Sequence, residues 1–191
     1  MKNILTLLFV AALLASCSGK KMPVPKPPTY LRLNLPEHTY KKTDTDCPYS
    51  FELPEMFKVH SVTDQDGKLT CHKDIDMGAL NGTIHLSYIK MDRPLSEYIN
   101  FSIDKVDEHK VRATAIEDTN IIRSKAKVYG TFFELQGNVA SPFQFYLTDS
   151  VSNFASGVIY FNSKPNYDSI RPSLEYLKKD LYHFFDTFEW K

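Results

Sequence analysis

The sequence predicts an α+β domain, a largely antiparallel sheet with helices packed on it in an α-β-α sandwich. Two segments repeat apolar residues with helical period, and seven short segments are rich in β-branched and aromatic residues. Several predicted strands, notably 128–135, carry apolar side chains on both faces. Such a sheet must be covered on both sides, which favours a layered sandwich over a sheet with one face in water.

The N-terminus predicts a lipoprotein signal peptide at residues 1–16. Lys2 precedes an apolar run over residues 4–14, which is too short to span a bilayer because a spanning helix needs about 20 residues. The run ends in Leu-Ala-Ser-Cys, where an aliphatic residue and two small residues before Cys17 resemble a bacterial lipobox. The Cys17 thiol is therefore the predicted lipid attachment site, carrying a diacylglyceryl group with acyl chains such as palmitate. The alternative is an ordinary secretory signal with a chance cysteine.

Residues 17–28 are predicted to form a tether between the lipid and the folded domain. Four of the eleven prolines fall within residues 23–28. Such a run favours an extended polyproline II conformation of about 3.1 Å per residue. A polyproline ligand for the groove of a partner is the alternative.

Residues 29–191 are predicted to form a single globular domain. Its strands are predicted at 57–63, 68–74, 83–89, 112–117, 127–135, 143–148 and 156–162. One helix is predicted to begin at Asp92, with Pro94 in its first turn, and the other at Asp168 or Ser169, with Pro172 in its first turn. Their apolar stripes are Leu95, Ile99, Ile103 and Val106 in the first, and Leu174, Leu177, Leu181, Phe184, Phe185 and Phe188 in the second. Both helices are expected to lie on the sheet.

Two cysteines remain once Cys17 carries lipid, and they predict a disulfide. Cys47 and Cys71 would form one pair in a compartment that permits oxidation. Two buried thiols are one alternative. A redox-active pair is the other, although the Cys-x-x-Cys spacing is missing.

Composition and motifs argue against several classes of function. The chain has 23 basic and 23 acidic residues, so a nucleic-acid partner is not expected, and its 42% hydrophobic content argues against disorder. Common metalloprotease, hydrolase, phosphate-loop and dinucleotide motifs are missing. No paired ligand spacing connects the six histidines, which are His38, His60, His72, His85, His109 and His183. We therefore predict no catalytic residue, cofactor or metal site.

Two short patterns with chemical associations are read as structural features. Ser124 and Lys127 match Ser-x-x-Lys, but the pattern is short enough to occur by chance and leads into a strand. Asp64 and Asp66 form part of a calcium-loop pattern. The third early acid and the distant Glu of that pattern are missing, so a turn is predicted.

Six motifs spread over nearly the whole mature chain carry a family resemblance. They are D-T-D-C-P-Y-S-F-E at 44–52, V-Y-G-T-F-F-E at 128–134, G-N-V-A-S at 137–141, F-Y-L-T-D-S at 145–150, K-P-N-Y-D-S at 164–169 and E-W-K at 189–191. In order and spacing they resemble the gliding motility lipoprotein GldD family. More distantly, F-E-L-P at 51–54, the strand-to-helix step at 83–108 and the final strand, loop and helix resemble Mog1/PsbP-like sandwiches.

The GldD resemblance implies an accessory of gliding motility and of the linked type IX secretion machinery. It implies a membrane protein of the GldE type and other Gld lipoproteins as candidate partners. The residues after Cys17 lack the acidic run that resembles surface-export signals in lipoproteins of gliding bacteria. We therefore expect a membrane-anchored lipoprotein of the cell envelope that faces the periplasm.

One matching motif is a candidate partner contact loop, formed by Gly137, Asn138, Val139, Ala140 and Ser141. Rigidly held loops often carry binding functions. The alternative is a plain connection between two strands, with Gly and Asn serving the backbone conformation.

Three classes of function follow. A non-enzymatic assembly or stabilising component is the first, a small-ligand or lipid-binding module of the cell envelope is the second, and an enzyme is the third. An open apolar patch would favour assembly, and an enclosed pocket would favour ligand binding. Convergent acids and bases with shifted pKa values would favour catalysis.

Overall fold

The computed structural model describes residues 34–191. The predicted signal peptide at 1–16, the tether at 17–28 and Cys17 lie outside the described residues. The described part contains ten strands, two α-helices and two short 3₁₀ turns. The strands are β1 (Tyr40–Asp44), β2 (Tyr49–Pro54), β3 (Lys58–Thr63), β4 (Leu69–Asp76), β5 (Gly82–Lys90), β6 (Ala113–Arg123), β7 (Val128–Gly137), β8 (Phe143–Thr148), β9 (Asn153–Phe161) and β10 (Glu189–Trp190). The helices are α1 (Leu95–Asp107) and α2 (Tyr167–Thr187), and the 3₁₀ turns are Gly78–Leu80 and Ser124–Ala126.

Seven strands form one sheet in the order β3-β4-β5-β9-β8-β7-β6. Every neighbouring pair in this sheet is antiparallel. A smaller antiparallel sheet has the order β1-β2-β10. The α+β class with a largely antiparallel sheet is therefore confirmed, and the likeness to Mog1/PsbP-like sandwiches stays a prediction.

The two helices lie on opposite faces of the large sheet. Alternate residues of a strand point to opposite faces, so Phe145 and Tyr146 mark the two sides of β8. The Phe145 side is covered by α2, where the rings of Phe145 and Phe184 have centroids 5.5 Å apart. On the Tyr146 side, Phe154 stacks on Tyr146 and also contacts Tyr98 of α1 at 5.5 Å. This is the predicted α-β-α layering.

The small sheet packs on the α2 side of the large sheet. Tyr49 of β2 is fully buried, lies 5.8 Å from Tyr88 of β5 and donates a hydrogen bond to the Cys71 carbonyl at 2.7 Å. Aromatic side chains dominate the core between these layers. A close approach in it explains Gly157, because a Cβ at that position would overlap the Phe145 ring.

Both helix starts differ from the predicted ones. Pro94 is the residue before α1 and has extended backbone, while the Asp92 carboxylate accepts a hydrogen bond from the Tyr98 hydroxyl instead of capping the helix. The second helix begins at Tyr167, before the predicted start. Its cap is Asn166, whose side chain accepts from the Ser169 N–H at 3.2 Å. Pro172 therefore lies inside α2 rather than in its first turn.

Three strands were missed, and two of the predicted strands have a limit that is wrong by three residues or more. The small sheet was missed because β1 is polar, β2 follows Pro48 and ends at Pro54, and β10 has only two residues. Strand β6 runs to Arg123 instead of 117, because it is a mostly exposed edge strand whose polar side chains give no apolar alternation. Strand β9 begins at Asn153 instead of 156.

Candidate functional site

A group of polar side chains, which we call the α2 polar cluster, consists of His38, Tyr40, Glu52, Asp180 and His183. Asp180 Oδ1 lies 2.6 Å from His38 Nδ1 and accepts a hydrogen bond from the Tyr40 hydroxyl at 3.0 Å. His183 Nε2 lies 2.8 Å from a carboxylate oxygen of Glu52. The Tyr40 ring stacks on His183 with centroids 3.6 Å apart, which joins the two pairs.

Burial controls the electrostatics of this cluster. Asp180 is 2% exposed. Burial raises its pKa, and the hydrogen bonds from His38 and Tyr40 offset only part of that shift. Burial, and then the hydrogen bond to Asp180, raises the pKa of Tyr40. Asp180 Oδ2 is buried without a hydrogen-bond partner among the described residues. A carboxyl with a raised pKa beside a histidine is an arrangement that enzymes also use, so its contacts decide its role.

Those contacts hold residues 36–40, the segment that leads into β1, against α2. The Tyr176 hydroxyl donates to the Pro36 carbonyl at 2.8 Å, and the His38 ring stacks on Tyr176 at 4.2 Å. Residues 36, 38 and 40 thus meet successive turns of α2. Each cluster member bonds to or stacks on another member, which favours an anchor for this segment over groups left free for a substrate.

The α2 polar cluster was not predicted, although the sequence contains one signal for it. Asp180 lies three residues after Leu177 and four before Phe184, so an acid interrupts the apolar stripe of α2. An acid on a buried helix face needs a partner. The partners, Tyr40 and His38, are about 140 positions away in the chain and carry no local pattern.

The candidate contact loop connects β7 to β8, and its residues differ in whether their side chains are buried or exposed. Val139 is buried with Val106 and Leu135 in a small apolar cluster, and Ser141 is buried with its hydroxyl donating to the Phe143 carbonyl. Val139 is therefore part of the core, and its side chain is not available to a partner. Asn138 and Ala140 are exposed, and their side chains are the ones that a partner can touch.

Gly137 and Asn138 fix the start of this loop. Gly137 has φ +108°, and a Cβ there would lie 2.8 Å from the Arg112 carbonyl oxygen, so both conformation and space require glycine. Asn138 Oδ1 accepts a hydrogen bond from the Tyr167 N–H at 3.1 Å. The loop is therefore attached to the first turn of α2 and to the start of β6.

One exposed apolar side chain lies beside the loop. Val111 is 94% exposed in the turn between α1 and β6, two residues before Ala113, which pairs with Gly137. We call the surface formed by Val111, Asn138 and Ala140 the loop end. Val151 is 81% exposed in the β8–β9 turn, at the opposite end of β8. It is therefore a matched exposed valine away from the loop end.

The predicted disulfide is present in the structure. It joins Cys47, in the loop before β2, to Cys71 of β4, with their Cα atoms 5.5 Å apart. The bond therefore connects the small sheet to the large one. The alternative of two buried thiols therefore does not describe this structure.

The shorter motifs have structural roles. Asp64 Oδ1 accepts from the N–H groups of Asp66 and Lys68, as expected of a turn. Ser124 begins a single 3₁₀ turn before β7. Among residues 34–191, no three His, Cys, Asp or Glu side chains are placed to hold a metal ion. In that same range, no helix has the length and apolar character needed to cross a membrane.

The fold and the loop end define a small α+β domain with a surface loop whose residues are held by the core. The sequence model for gliding motility lipoprotein GldD matches residues 20–190. The chain belongs to this family, and it is therefore a membrane-anchored envelope protein involved in gliding motility. No curated protein matches the chain.

Proposed function

We propose that this protein is a non-enzymatic assembly or stabilising component of the gliding motility machinery and of the linked type IX secretion machinery. It faces the periplasm on a lipid anchor at Cys17 and docks to other motility proteins through the loop end. The observation that carries this proposal is an exposed loop whose ends are held by the core. Function is often placed on such loops because the scaffold fixes their geometry.

The support beneath the loop end is rigid. Val139 is 3% exposed and Ser141 is fully buried, so alternate residues of the loop point into the domain. The hydrogen bond from the Tyr167 N–H to Asn138 adds a third attachment. A partner would meet small exposed groups in a fixed conformation, which reduces the ordering entropy lost on binding.

Val111 contributes apolar area next to this loop. A single exposed aliphatic side chain is ordinary on a protein surface. Val111 is a candidate contact residue because it lies beside an exposed loop of small residues. Proteins docking here would bury the valine together with the backbone of the loop.

The α2 polar cluster supports a role without catalysis. Its carboxylates and histidines bond to one another, and its contacts hold the segment 36–40 on α2. Family membership makes other motility proteins the natural partners. A membrane protein of the GldE type and other Gld lipoproteins are the candidates that we propose.

The experiment compares matched charged substitutions at the two ends of the sheet. Val111→Glu places a carboxylate at the loop end, and Val151→Glu places one at the opposite end, with both positions highly exposed. Each variant is introduced into a strain lacking the wild-type protein, and gliding, type IX secretion, membrane level and melting temperature are measured. Val111→Glu should abolish gliding and secretion at wild-type membrane level and melting temperature, and Val151→Glu should not. Equal activity of both variants would contradict docking through the loop end.

A further inference from the structure

A cleft between α1 and the large sheet is a second site, separate in chemistry from the loop end. It has a volume of about 170 Å³. Its floor contains Ser87 of β5 and Ser156 of β9, which are cross-strand partners. Tyr98 and Val106 pack on the sheet near the two ends of α1. Because the serines between these supports are small, the helix and the sheet leave a gap.

One residue that lines this cleft carries an unpaired buried donor. Gln144 of β8 is 4% exposed, and its Nε2 is buried without a hydrogen-bond partner among the described residues. Leaving a buried donor unpaired is unfavourable, and native structures rarely do so. A ligand with a hydrogen-bond acceptor would satisfy this amide, whereas a purely apolar ligand would not.

Apolar side chains line part of the cleft, and its mouth is aromatic. Phe133 and Val158 line it from the sheet, and Phe101 of α1 lines it while remaining 62% exposed. A cavity of about 150 Å³ lined by apolar side chains holds one benzene ring. The cleft is therefore large enough for one ring, and Phe101 lies at its mouth.

The charge at the cleft favours a neutral ligand. Lys105 lines it with its Nζ 5.7 Å from the centre of the Phe101 ring. That ammonium group already lies 2.7 Å from a carboxylate oxygen of Glu108. An anionic ligand would have to compete with Glu108. The neutral donors of the lining are the Gln144 amide and serine hydroxyls, and of these the amide is the buried group without a partner.

We propose that this cleft binds a neutral one-ring molecule whose oxygen accepts a hydrogen bond from Gln144 Nε2. The ring lies between Phe101 and the apolar side chains of the sheet, and the oxygen reaches the amide at the floor. The site takes small phenols and related aromatic alcohols or amides. It does not require a partner protein, so it is independent of docking at the loop end.

The test uses p-cresol and toluene, which differ in one hydroxyl group. Binding to the full-length chain carrying Cys17→Ser is followed by NMR shifts of the residues that line the cleft. p-Cresol should give saturable shifts there and bind about tenfold more tightly than toluene, the ratio that corresponds to about 1.4 kcal/mol for one added hydrogen bond. Absence of saturable shifts, or equal affinity for the two probes, would overturn the proposal.

Two variants test separately the contribution of the hydrogen bond and that of the cleft volume to binding. Gln144→Met keeps most of the side-chain volume and removes the donor, so it should abolish the preference for p-cresol over toluene. Ser156→Val adds volume to the floor and should weaken binding of both probes. Melting curves establish that each variant is folded, and Ser156→Val keeps the test decisive if Gln144→Met does not fold. A preference for p-cresol that survives Gln144→Met, or full binding by Ser156→Val, would contradict the assigned site.

Discussion

Asn138 Oδ1 accepts a hydrogen bond from the Tyr167 N–H at 3.1 Å, which attaches the β7–β8 loop to the first turn of α2. Because of this bond, substitutions at positions 138 and 140 should disturb the loop end in different ways. A bulky residue at position 138 would lose it, whereas a bulky residue at position 140 would keep it. The two positions therefore distinguish blocked contact from altered folding.

Ala140→Trp should abolish gliding while leaving the melting temperature unchanged, because an exposed ring blocks close contact without disturbing the core. Asn138→Trp should also abolish gliding. Loss of about 1 kcal/mol of hydrogen bonding should in addition lower its melting temperature by about 2–4 °C. Complementation assays and thermal melts of the purified variants test both expectations. Wild-type gliding with Ala140→Trp would show that this residue is not in a contact.

Cys17→Ser should leave the domain folded and release it from membranes. The predicted attachment is covalent at this residue, and the near-balanced charge of the chain provides no alternative. Cell fractionation measures the outcome, with the wild-type chain as the control. Complete sedimentation of the variant with membranes after signal removal would contradict the lipid assignment.

Joint replacement of Cys47 and Cys71 by serine should lower stability. The bond closes a loop with a sequence separation of 24, which corresponds to about 3 to 4 kcal/mol in the chain-entropy account. A fall in melting temperature of about 6–12 °C is expected for a domain of this size. A reducing agent should lower the melting temperature of the wild type and leave that of the double variant unchanged. Two titratable thiols in the oxidised wild type would contradict the pairing.

Asp180→Asn and Asp180→Ala should behave differently. Asparagine keeps an oxygen that accepts from His38 and Tyr40 and removes a buried charge, so stability and gliding should be retained. Alanine leaves both partners unpaired and should cost about 1–3 kcal/mol. Melting temperature and gliding are measured for both variants. Loss of gliding by Asp180→Asn at an unchanged melting temperature would support a chemical role for the carboxylate instead of an anchor.

Asp149 should contribute to the stability of the domain at neutral pH and lose that contribution in acid. Burial by itself raises its pKa, but hydrogen bonds from the N–H groups of Asn153, Ser152 and Val151 outweigh burial and lower the pKa to about 2. Since the folded value is lower than the unfolded value, the stabilisation is present above about pH 4 and is lost as pH falls towards 2. Asp149→Asn should melt at a lower temperature than wild type at pH 7, and the difference should shrink towards pH 2. A difference that is constant with pH would contradict this account.

The sequence predicts the large sheet and both helices because their apolar periods are local. The stripe that includes Leu177 and Phe184 identifies α2 directly, and the Asp66-Gly67 pair identifies the β3–β4 turn. Strand β1 and the extension of β6 escape prediction because polar, exposed strands are determined by pairing with distant partners. Tyr40, for example, pairs with Pro54 and contacts Asp180, and neither relation has a sequence period.

The candidate site is predictable only in part. Motif resemblance identifies the segment from Gly137 to Ser141, but it cannot separate buried Val139 from exposed Ala140, because that depends on where α1 packs. The Gln144 amide is hidden for a similar reason. A glutamine in a strand is ordinary until the small Ser156 beside it leaves a cleft.

The central claim, docking through the loop end, is tested most directly by site-specific photocrosslinking in gliding cells. A photoreactive residue is placed at Ala140 in one strain and at Val151 in another, and crosslinked products in membranes are identified. We expect position 140 to crosslink to a membrane protein of the GldE type or to another Gld lipoprotein, and position 151 to give no such product. Crosslinks to these proteins from position 151 alone, or from neither position, would contradict the claim.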